Sequence, residues 1–221
     1  MNKMNLEAIK ARLVALGFDH EVEEKLMSEI CFSPSVFDLR FVRQSGQDTG
    51  IFLVHIERGT SGEYAVVHYT ATLRKAVVLT PASQVMAERM GQVDWNLIAS
   101  YRGSSFVTID LSILREAFAV LQEAAKMAEY PLVLYKYWAG TTLEALVPGI
   151  VSLKNKYELS QRFYVSEEHT AIRSDEAIRF LQNRWTERQM QQRRLQRRQE
   201  EGGQNQSASV KGNKRKPVRK K

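Results

Sequence analysis

The chain has 221 residues, 43% of them apolar, and a net charge of +7 at pH 7. This length suits one domain of about 150–200 residues with an extension, and the apolar fraction is that of a chain with a buried core, so the composition excludes a wholly disordered protein. The single cysteine, Cys31, excludes an intrachain disulfide and a cysteine-based zinc site. We expect it to be a buried, unreactive thiol.

The first helical pattern carries Glu7, Lys10 and Arg12 among its apolar positions. It therefore lacks the continuous apolar segment of a signal peptide. No stretch of the sequence approaches the roughly 18 uninterrupted apolar residues of a membrane helix. We expect a soluble, cytoplasmic protein without a membrane span.

The charge is divided unevenly along the chain. Residues 181–221 carry 13 Lys and Arg against three acidic residues, a net charge of +10. Residues 1–180 carry 19 Lys and Arg against 22 acidic residues, a net charge of −3. Such an asymmetry is typical of chains with a basic segment that binds an anionic partner.

The N-terminal segment predicts a helical hairpin. Apolar residues recur at helical spacing from Leu6 to Leu16, and Gly17 suits the position just after a helix end. Asp19 is a good N-cap for a second helix, which Pro34 ends.

Three segments then predict antiparallel strands, because β-branched and aromatic residues are frequent in them and good turn sequences separate them. They are "SVFDLRFV", "GIFLVHIERG" and "GEYAVVHYTATLRKAVVL". In the first, Phe37, Leu39 and Phe41 alternate with more polar residues, which indicates a sheet with one buried face. The simplest packing places the N-terminal helices on that face.

The remaining elements are predicted from shorter patterns. "ASQVMAERM" is typical of a short helix, "VDWNLIASY" of a strand or a helix, and "PLVLYKYW" and "KYELSQRFYV" of strands. Asp110 predicts the N-cap of a helix whose apolar face includes Leu111 and Phe118. Ser174 predicts the N-cap of the last helix, in which acidic residues in the first turn suit the helix dipole.

After Trp185 only Met190 and Leu195 are large and apolar, so the last helix must leave the body and run into solvent. The sequence thus predicts an α+β fold, an antiparallel sheet flanked by helices, with a protruding basic helix and a disordered tail. We assign residues 1–186 to the globular domain, 187–200 to the basic helical extension and 201–221 to the disordered basic tail.

The basic extension and tail predict a nucleic-acid-binding surface. Arginine binds phosphate oxygens through two N–H groups, and like charges four residues apart leave the free helix frayed until anions neutralise it. No aromatic residue follows Trp185, so we expect the tail to bind the backbone of DNA or RNA with little sequence preference. The predicted contacts are Arg188, Arg193, Arg194, Arg197, Arg198, Lys211, Lys214, Arg215, Lys216, Arg219, Lys220 and Lys221.

Other partners are compatible with the same charge. The tail could dock on an acidic protein or on an anionic membrane surface, or could serve only to keep the protein soluble. Two separated apolar side chains, Met190 and Leu195, make a poor interfacial helix, which argues against the membrane.

Three weaker patterns lie outside the tail. His55, His68 and Glu57 fall on adjacent strands and could hold a metal, although structural histidines in strands are commoner. Glu167, Glu168 and His169 could supply a base, although an acidic loop is the simpler interpretation. Trp95, Tyr101 and Phe106, beside Arg102, could stack on bases, although such aromatic residues are more often core.

The sequence contains no recognisable catalytic motif, and we predict a non-enzymatic protein without cofactor or metal.

Several segments, in order, resemble a group of proteins. They are "NLEAIKARLVALGF", "FDLRF", "HIERG", "VHYTATL" and "RFYVSEEHTAIRSDEAIRFLQNR". This series is similar to small uncharacterised accessory proteins of conjugative and integrative mobile elements from anaerobic gut-type bacteria. The matching positions are Tyr69, Ala71, Thr72, Leu73, Phe163, Tyr164, Val165, Glu176, Ala177 and Leu181. The resemblance does not extend over residues 81–155. It implies no activity, only a context in which binding DNA or assisting a relaxase or topoisomerase is natural.

We therefore predict an accessory protein that binds nucleic acid through residues 188–221. The alternative is a protein-interaction adaptor whose basic tail docks on an acidic partner.

Overall fold

A computed structural model describes residues 3–18, 22–100, 110–165 and 171–211, with the backbone alone for 3–4, 100 and 200–211. The predicted α+β class is confirmed: helices flank a four-stranded antiparallel sheet. In chain order the elements are α1 (Lys3–Ala15), α2 (Val22–Ile30), β1 (Val36–Ser45), β2 (Asp48–Arg58), β3 (Tyr64–Arg74), α3 (Pro81–Gln92), α4 (Trp95–Ser100), α5 (Leu111–Ala124), α6 (Tyr130–Trp138), a 3-10 turn (Glu144–Leu146), α7 (Ile150–Tyr157), β4 (Glu158–Tyr164) and α8 (Ser174–Lys211).

The sheet has the simple order β1-β2-β3-β4, and every neighbouring pair is antiparallel. Its register places the buried aromatic residues Phe41, Phe52, Tyr69 and Phe163 on one face, where α1, α2 and α8 pack. The alternation in the sequence predicted this face, because successive side chains of a strand point to opposite sides. On the other face Leu53 and Tyr164 are exposed, and Glu144 and Lys154 line one cavity together with Leu53 and Thr70.

Two hydrophobic cores form. The sheet core lies between the covered face and α1, α2 and α8, and it includes Leu13, Phe18, Leu26 and Leu181. The helical core is built by α3 to α7 and is centred on residues such as Met90, Leu134 and Trp138. The helices that build it lie in the chain between β3 and β4, so the helical core is an insertion into the sheet.

A buried network joins the two cores. Arg74 donates to Glu158 Oε1 at 2.7 Å and to the Ala139 carbonyl at 2.8 Å. The Tyr135 hydroxyl donates to the same Glu158 oxygen at 2.9 Å. Burial, together with the Glu158 carboxylate, raises the pKa of Tyr135. The last residue of β3 and the first of β4 are thus tied to α6.

Gly17 ends the first helix as predicted. Its φ is +88°, its N–H bonds to the Val14 carbonyl, and the N–H of Phe18 bonds back to Leu13 at 2.8 Å. This is the hydrogen-bond pattern of a Schellman motif, which favours glycine because φ is positive. Asp19, the predicted cap of the second helix, lies outside the described residues.

Ser174 does not cap the last helix as predicted. Ala177 N–H bonds to the Arg173 carbonyl, and the Glu176 carboxylate accepts from the Arg173 N–H at 3.0 Å, so Arg173 occupies the N-cap position. Ser174 is fully buried, and its hydroxyl donates to the Gly17 carbonyl and accepts from Arg43. Its role is to connect the end of α1 to the start of α8.

Three further predictions were wrong. "PLVLYKYW" forms helix α6 instead of a strand, with Pro131 in its first turn. Leu111 and Phe118 are exposed, because α5 turns Ala117, Val120 and Ala124 toward the helical core. Cys31 is also exposed, since it follows the last buried residue of α2, Ile30. Asp110, in contrast, caps α5 as predicted, accepting from the Ser112 N–H at 2.8 Å.

Candidate nucleic-acid interface

Helix α8 leaves the body where its apolar face ends, as predicted. Leu181 is buried, Trp185 is half-buried, and every residue from 190 to 199 is exposed. The helix continues to Lys211, past the predicted end of the helical extension at residue 200. Its 38 residues give it a length of about 57 Å. A large part of that length projects from the domain.

Four predicted contacts lie together on the exposed part of α8. Arg193, Arg194, Arg197 and Arg198 fall within an arc of about 140° around the helix axis. Residues 188–199 contain five arginines and no acidic residue. Among the residues with described side chains, none forms an ion pair with these four arginines. They present four guanidinium groups to solvent on one side of the helix.

Arg188 differs from these four. Its guanidinium donates to the Asn155 carbonyl at 2.9 Å and lies 5.9 Å from the centre of the Trp185 ring. It therefore belongs to the root of the helix. Lys211 is the last residue of α8, and its side chain is not described. The other predicted contacts, Lys214, Arg215, Lys216, Arg219, Lys220 and Lys221, lie outside the described residues.

A cavity of about 430 Å³ opens at the root of α8, and we call it the root cleft. Helix α8 forms one side of the cleft, and the ends of β3 and α7 form the other side. A hydrogen bond from the Lys75 N–H to the Tyr157 carbonyl joins those two ends. Two aromatic residues, Trp185 and Tyr157, line it. Its lining is Lys75, Ala76, Lys156, Tyr157, Trp185, Arg188, Gln189 and Gln192.

The predicted histidine group is assembled differently from a metal site. His55 Nδ1 lies 2.7 Å from Asp38 Oδ1, and its Nε2 lies 3.0 Å from Glu57 Oε1, so carboxylates occupy both ring nitrogens. His68 stacks on His55 with ring centres 4.6 Å apart. In the described part of the chain, no group of three or more His, Cys, Asp or Glu side chains is arranged to hold a metal.

The two stacked histidines have opposite pKa shifts. The hydrogen bond to Asp38 raises the pKa of His55, and Glu57 adds to this effect. Burial lowers the pKa of His68, and the charges of Arg162 and His55 lower it further. One imidazole of the pair thus favours the charged form while the other favours the neutral form.

The aromatic patch predicted around Trp95 is not a stacking surface at that residue. Trp95 is buried in the helical core, donates to the Met90 carbonyl at 2.7 Å and packs edge-on against Trp138. Tyr101, Arg102 and Phe106 lie outside the described residues. The same holds for Glu167, Glu168 and His169, the candidate base and its neighbours.

Two further surfaces with charged side chains were not predicted from the sequence. One is the root cleft. The other is the sheet face opposite the covered one, where Arg40 and Arg162 flank Leu53 and Thr70 in one row across the strands, next to the exposed Tyr164. Strand alternation indicated which side chains share that face. The strand order that puts Arg40 and Arg162 in one row has no local signal.

A cavity of about 560 Å³ lies elsewhere, between α1 and the start of β3. Asn5 forms two hydrogen bonds with the Tyr64 backbone there, at 3.0 and 2.9 Å. The charged side chains in its lining are Arg12 and Glu63.

Comparisons with family models, curated proteins and solved structures give no significant match to this chain. The resemblance to accessory proteins of mobile elements stays a prediction. Within the described residues, no helix is both long enough and apolar enough to cross a membrane.

Proposed function

We propose that this protein is a non-enzymatic accessory protein that binds nucleic acid through the basic part of α8, with little sequence preference. The observation that carries the proposal is the exposure of Arg193, Arg194, Arg197 and Arg198 on one side of a helix that projects from the domain. No carboxylate lies in the same stretch, 188–199.

The chemistry of these side chains favours phosphate. A guanidinium group donates two parallel N–H bonds to phosphate oxygens and remains charged at every accessible pH. Arg193 and Arg197, like Arg194 and Arg198, repel each other at four-residue spacing. A polyanion relieves that repulsion, so its binding also stabilises the helix.

The body supports a binding function over a catalytic one. Among the described residues, several ionisable groups are engaged with one another, as in the Arg74–Glu158 pair and in the hydrogen bonds of His55 to Asp38 and Glu57. We assign the body the role of a scaffold that holds α8 and offers further surfaces to partners.

Salt-dependent binding tests the proposal. We would compare the full chain with a variant carrying glutamine at 193, 194, 197 and 198, using labelled single-stranded DNA, duplex DNA and RNA from ~50 to ~200 mM salt. If each arginine neutralises one phosphate, the slope of log K against log salt becomes less steep by about 3–4 for duplex DNA. A matched control removes four exposed charges from elsewhere, with glutamine at Arg115, Lys126, Lys136 and Arg179.

The proposal fails if the helix variant keeps the affinity and slope of the wild type, or if both variants lose them equally. The alternative, an adaptor for an acidic protein partner, is separated by competition with polyglutamate. If polyglutamate displaces nucleic acid at equal charge concentration, the arginines recognise negative charge in general and the adaptor becomes the better account.

A further inference from the structure

The root cleft combines aromatic rings with positive charge. Lys75 Nζ and the Arg188 guanidinium lie 6.0 and 5.9 Å from the centre of the Trp185 ring. Lys156 Nζ lies 5.2 Å from the centre of the Tyr157 ring. Among the described residues, no Asp or Glu lines the cleft. It is therefore suited to a ligand that is planar in one part and anionic in another.

The three cations differ in how far they are already neutralised. Lys75 forms an ion pair with Asp48, which is not part of the cleft lining. Arg188 donates one N–H to the Asn155 carbonyl, a neutral acceptor, and keeps its charge. Lys156 is exposed and forms no ion pair with any described residue. The cleft therefore carries an excess of about two positive charges, on Lys156 and Arg188.

Helix α8 contributes a continuous stripe to the cleft. Trp185, Arg188, Gln189 and Gln192 follow the spacing i, i+3, i+4 and i+7, which places them on one helix face. The two glutamines offer amide groups that both donate and accept hydrogen bonds, as base edges require. The volume, about 430 Å³, falls within the usual range of small-molecule sites.

We propose that the root cleft binds one nucleotide of a single-stranded nucleic acid, with its base against Trp185 and Tyr157 and its phosphate on Lys156 and Arg188. This inference rests on the proposed function and narrows it to single strands. Bases inside a duplex are stacked on each other and cannot enter the cleft, whereas an unpaired base can. An incoming base replaces the cations at the ring faces, and its phosphate attracts them.

The cleft and the arginines lie on different sides of α8. At about 100° per residue, the centre of the arginine arc is about 160° around the helix from the centre of the cleft stripe. Arg193 is the arginine nearest to that stripe, and it lies about 7.5 Å further along the helix axis than Arg188. A strand anchored by a base in the cleft therefore reaches Arg193 first and must pass around the helix to contact Arg194, Arg197 and Arg198. This arrangement adds a stacking contact to a segment that the sequence predicted to bind the backbone alone.

An abasic oligomer separates the cleft from the arginines. We would measure binding of the full chain to a single-stranded oligothymidylate of about 12 nucleotides and to an abasic oligomer with the same number of phosphates. Wild-type protein should bind the oligothymidylate at least about fivefold more tightly, the lower limit for one stacked base. Trp185→Leu should bring the ratio close to one, and Lys156→Gln should weaken the oligothymidylate more than the abasic oligomer. Tyr164→Leu, which removes an aromatic ring exposed on the open sheet face, should leave the ratio unchanged.

Tryptophan fluorescence of the wild type provides a second measurement that needs no substitution. The chain has three tryptophans, and Trp95 and Trp138 are buried in the helical core. Quenching by the oligothymidylate but not by the abasic oligomer therefore reports on Trp185.

Each outcome decides one of the two proposals. Equal, salt-dependent affinity for both oligomers, without selective quenching, overturns the root cleft as a base site and leaves the proposed function intact. Absence of binding to either oligomer at low salt overturns the cleft, and absence of binding to duplex DNA and RNA as well overturns the proposed function. If Trp185→Leu unfolds the protein, the quenching of the wild type and the Lys156→Gln comparison still decide.

Discussion

The guanidinium of Arg43 donates a hydrogen bond to the Ser174 hydroxyl at 3.0 Å, across 131 residues of sequence. It also donates to the Gly17 carbonyl, so one side chain from β1 ties the end of α1 to the start of α8. The geometry around this contact leaves no room at Gly17. A Cβ atom there would lie 2.7 Å from Ser174 Oγ.

Gly17→Ala should therefore destabilise the fold for two separable reasons. The positive φ costs about 1 kcal/mol for any residue with a Cβ, and the contact with Ser174 adds at least about 1 kcal/mol. Gly46→Ala is the matched control, because Gly46 also has a positive φ, +65°, but a Cβ atom there would meet no other atom within 4 Å. Chemical denaturation should show Gly17→Ala as clearly the worse of the two. In the Ser174→Ala background the extra cost should shrink, and strict additivity of the two substitutions would contradict this account.

Gly50 allows α8 to approach the sheet. It lies in β2, and a Cβ atom there would lie 2.7 Å from Ile178 Cδ1. We expect Gly50→Ala to cost about 1–3 kcal/mol of unfolding free energy through overpacking. Ile178→Val removes the clashing methyl group, so the double variant should be more stable than the sum of the single effects predicts. If Gly50→Ala cost the same unfolding free energy with isoleucine and with valine at 178, α8 would not be in contact with the sheet at Gly50.

The stacked histidines should make stability depend on pH. Since the pKa of His55 is raised by Asp38 and Glu57, its contribution is fully present below the ordinary value of 6.5 and is lost as the pH rises through the folded-state pKa. His68 has a lowered pKa, so its contribution is present above 6.5 and is lost as the pH falls through its folded-state pKa. NMR titration should place the His55 pKa above 6.5 and that of His68 below it.

Asp38→Asn isolates the His55 effect. This variant should lower the His55 pKa, and its loss of stability relative to the wild type should be larger below pH 6.5 than well above the His55 pKa. A difference between the two proteins that is the same at both pH values would mean that Asp38 acts without the charge of His55.

The Arg74–Glu158 pair should matter far more than an exposed ion pair. Both of its side chains are largely buried, 18% and 11% exposed. We expect Glu158→Gln to cost about 2–3 kcal/mol, because Arg74 loses its counter-charge in a buried site. Tyr135→Phe should cost about 1 kcal/mol, the value of its one hydrogen bond to Glu158. The control, Glu123→Gln, breaks the pair with Arg89, which solvent screens, and should change the stability far less. Similar losses for Glu158→Gln and Glu123→Gln would contradict the buried role.

Cys31 offers a rapid test of the fold around the end of α2. Because the residue is exposed, a thiol reagent should modify it fully in the native protein, without denaturant. If the thiol reacted only after the protein unfolds, Cys31 would be buried, as the sequence predicted.

The outcome for α6 shows the limit of reading periodicity in a short apolar segment. "PLVLYKYW" is rich in residues that favour strands, but a fully buried helix has the same composition. Val133, Leu134, Tyr135 and Trp138 are all buried, because the other helices of the helical core surround α6. Pro131 suits the position after the end of one helix, but proline is equally suited to the first turn of the next one.

The two parts of the candidate interface, the exposed arginines of α8 and the root cleft, differ in how far the sequence predicts them. The exposure of the α8 arginines follows from composition, since a helix segment with only two separated apolar residues, Met190 and Leu195, cannot pack on a core. The root cleft does not follow from composition. Lys75, Lys156 and Trp185 are far apart in the chain, and the pairing of β3 with β4 brings the first two together. Only the spacing from Trp185 to Gln192 carried a local signal.

The insertion of the helical core between β3 and β4 has a consequence for how the chain folds. The hairpins β1–β2 and β2–β3 join neighbouring segments, so we expect them to form before β3 pairs with β4, where Arg74 and Glu158 are separated by 84 residues. Until then β3 is a free edge, with unpaired backbone groups beside a hydrophobic face. Closing the sheet is therefore the non-local and slow event, and conditions that unfold the inserted helices expose an edge prone to self-association.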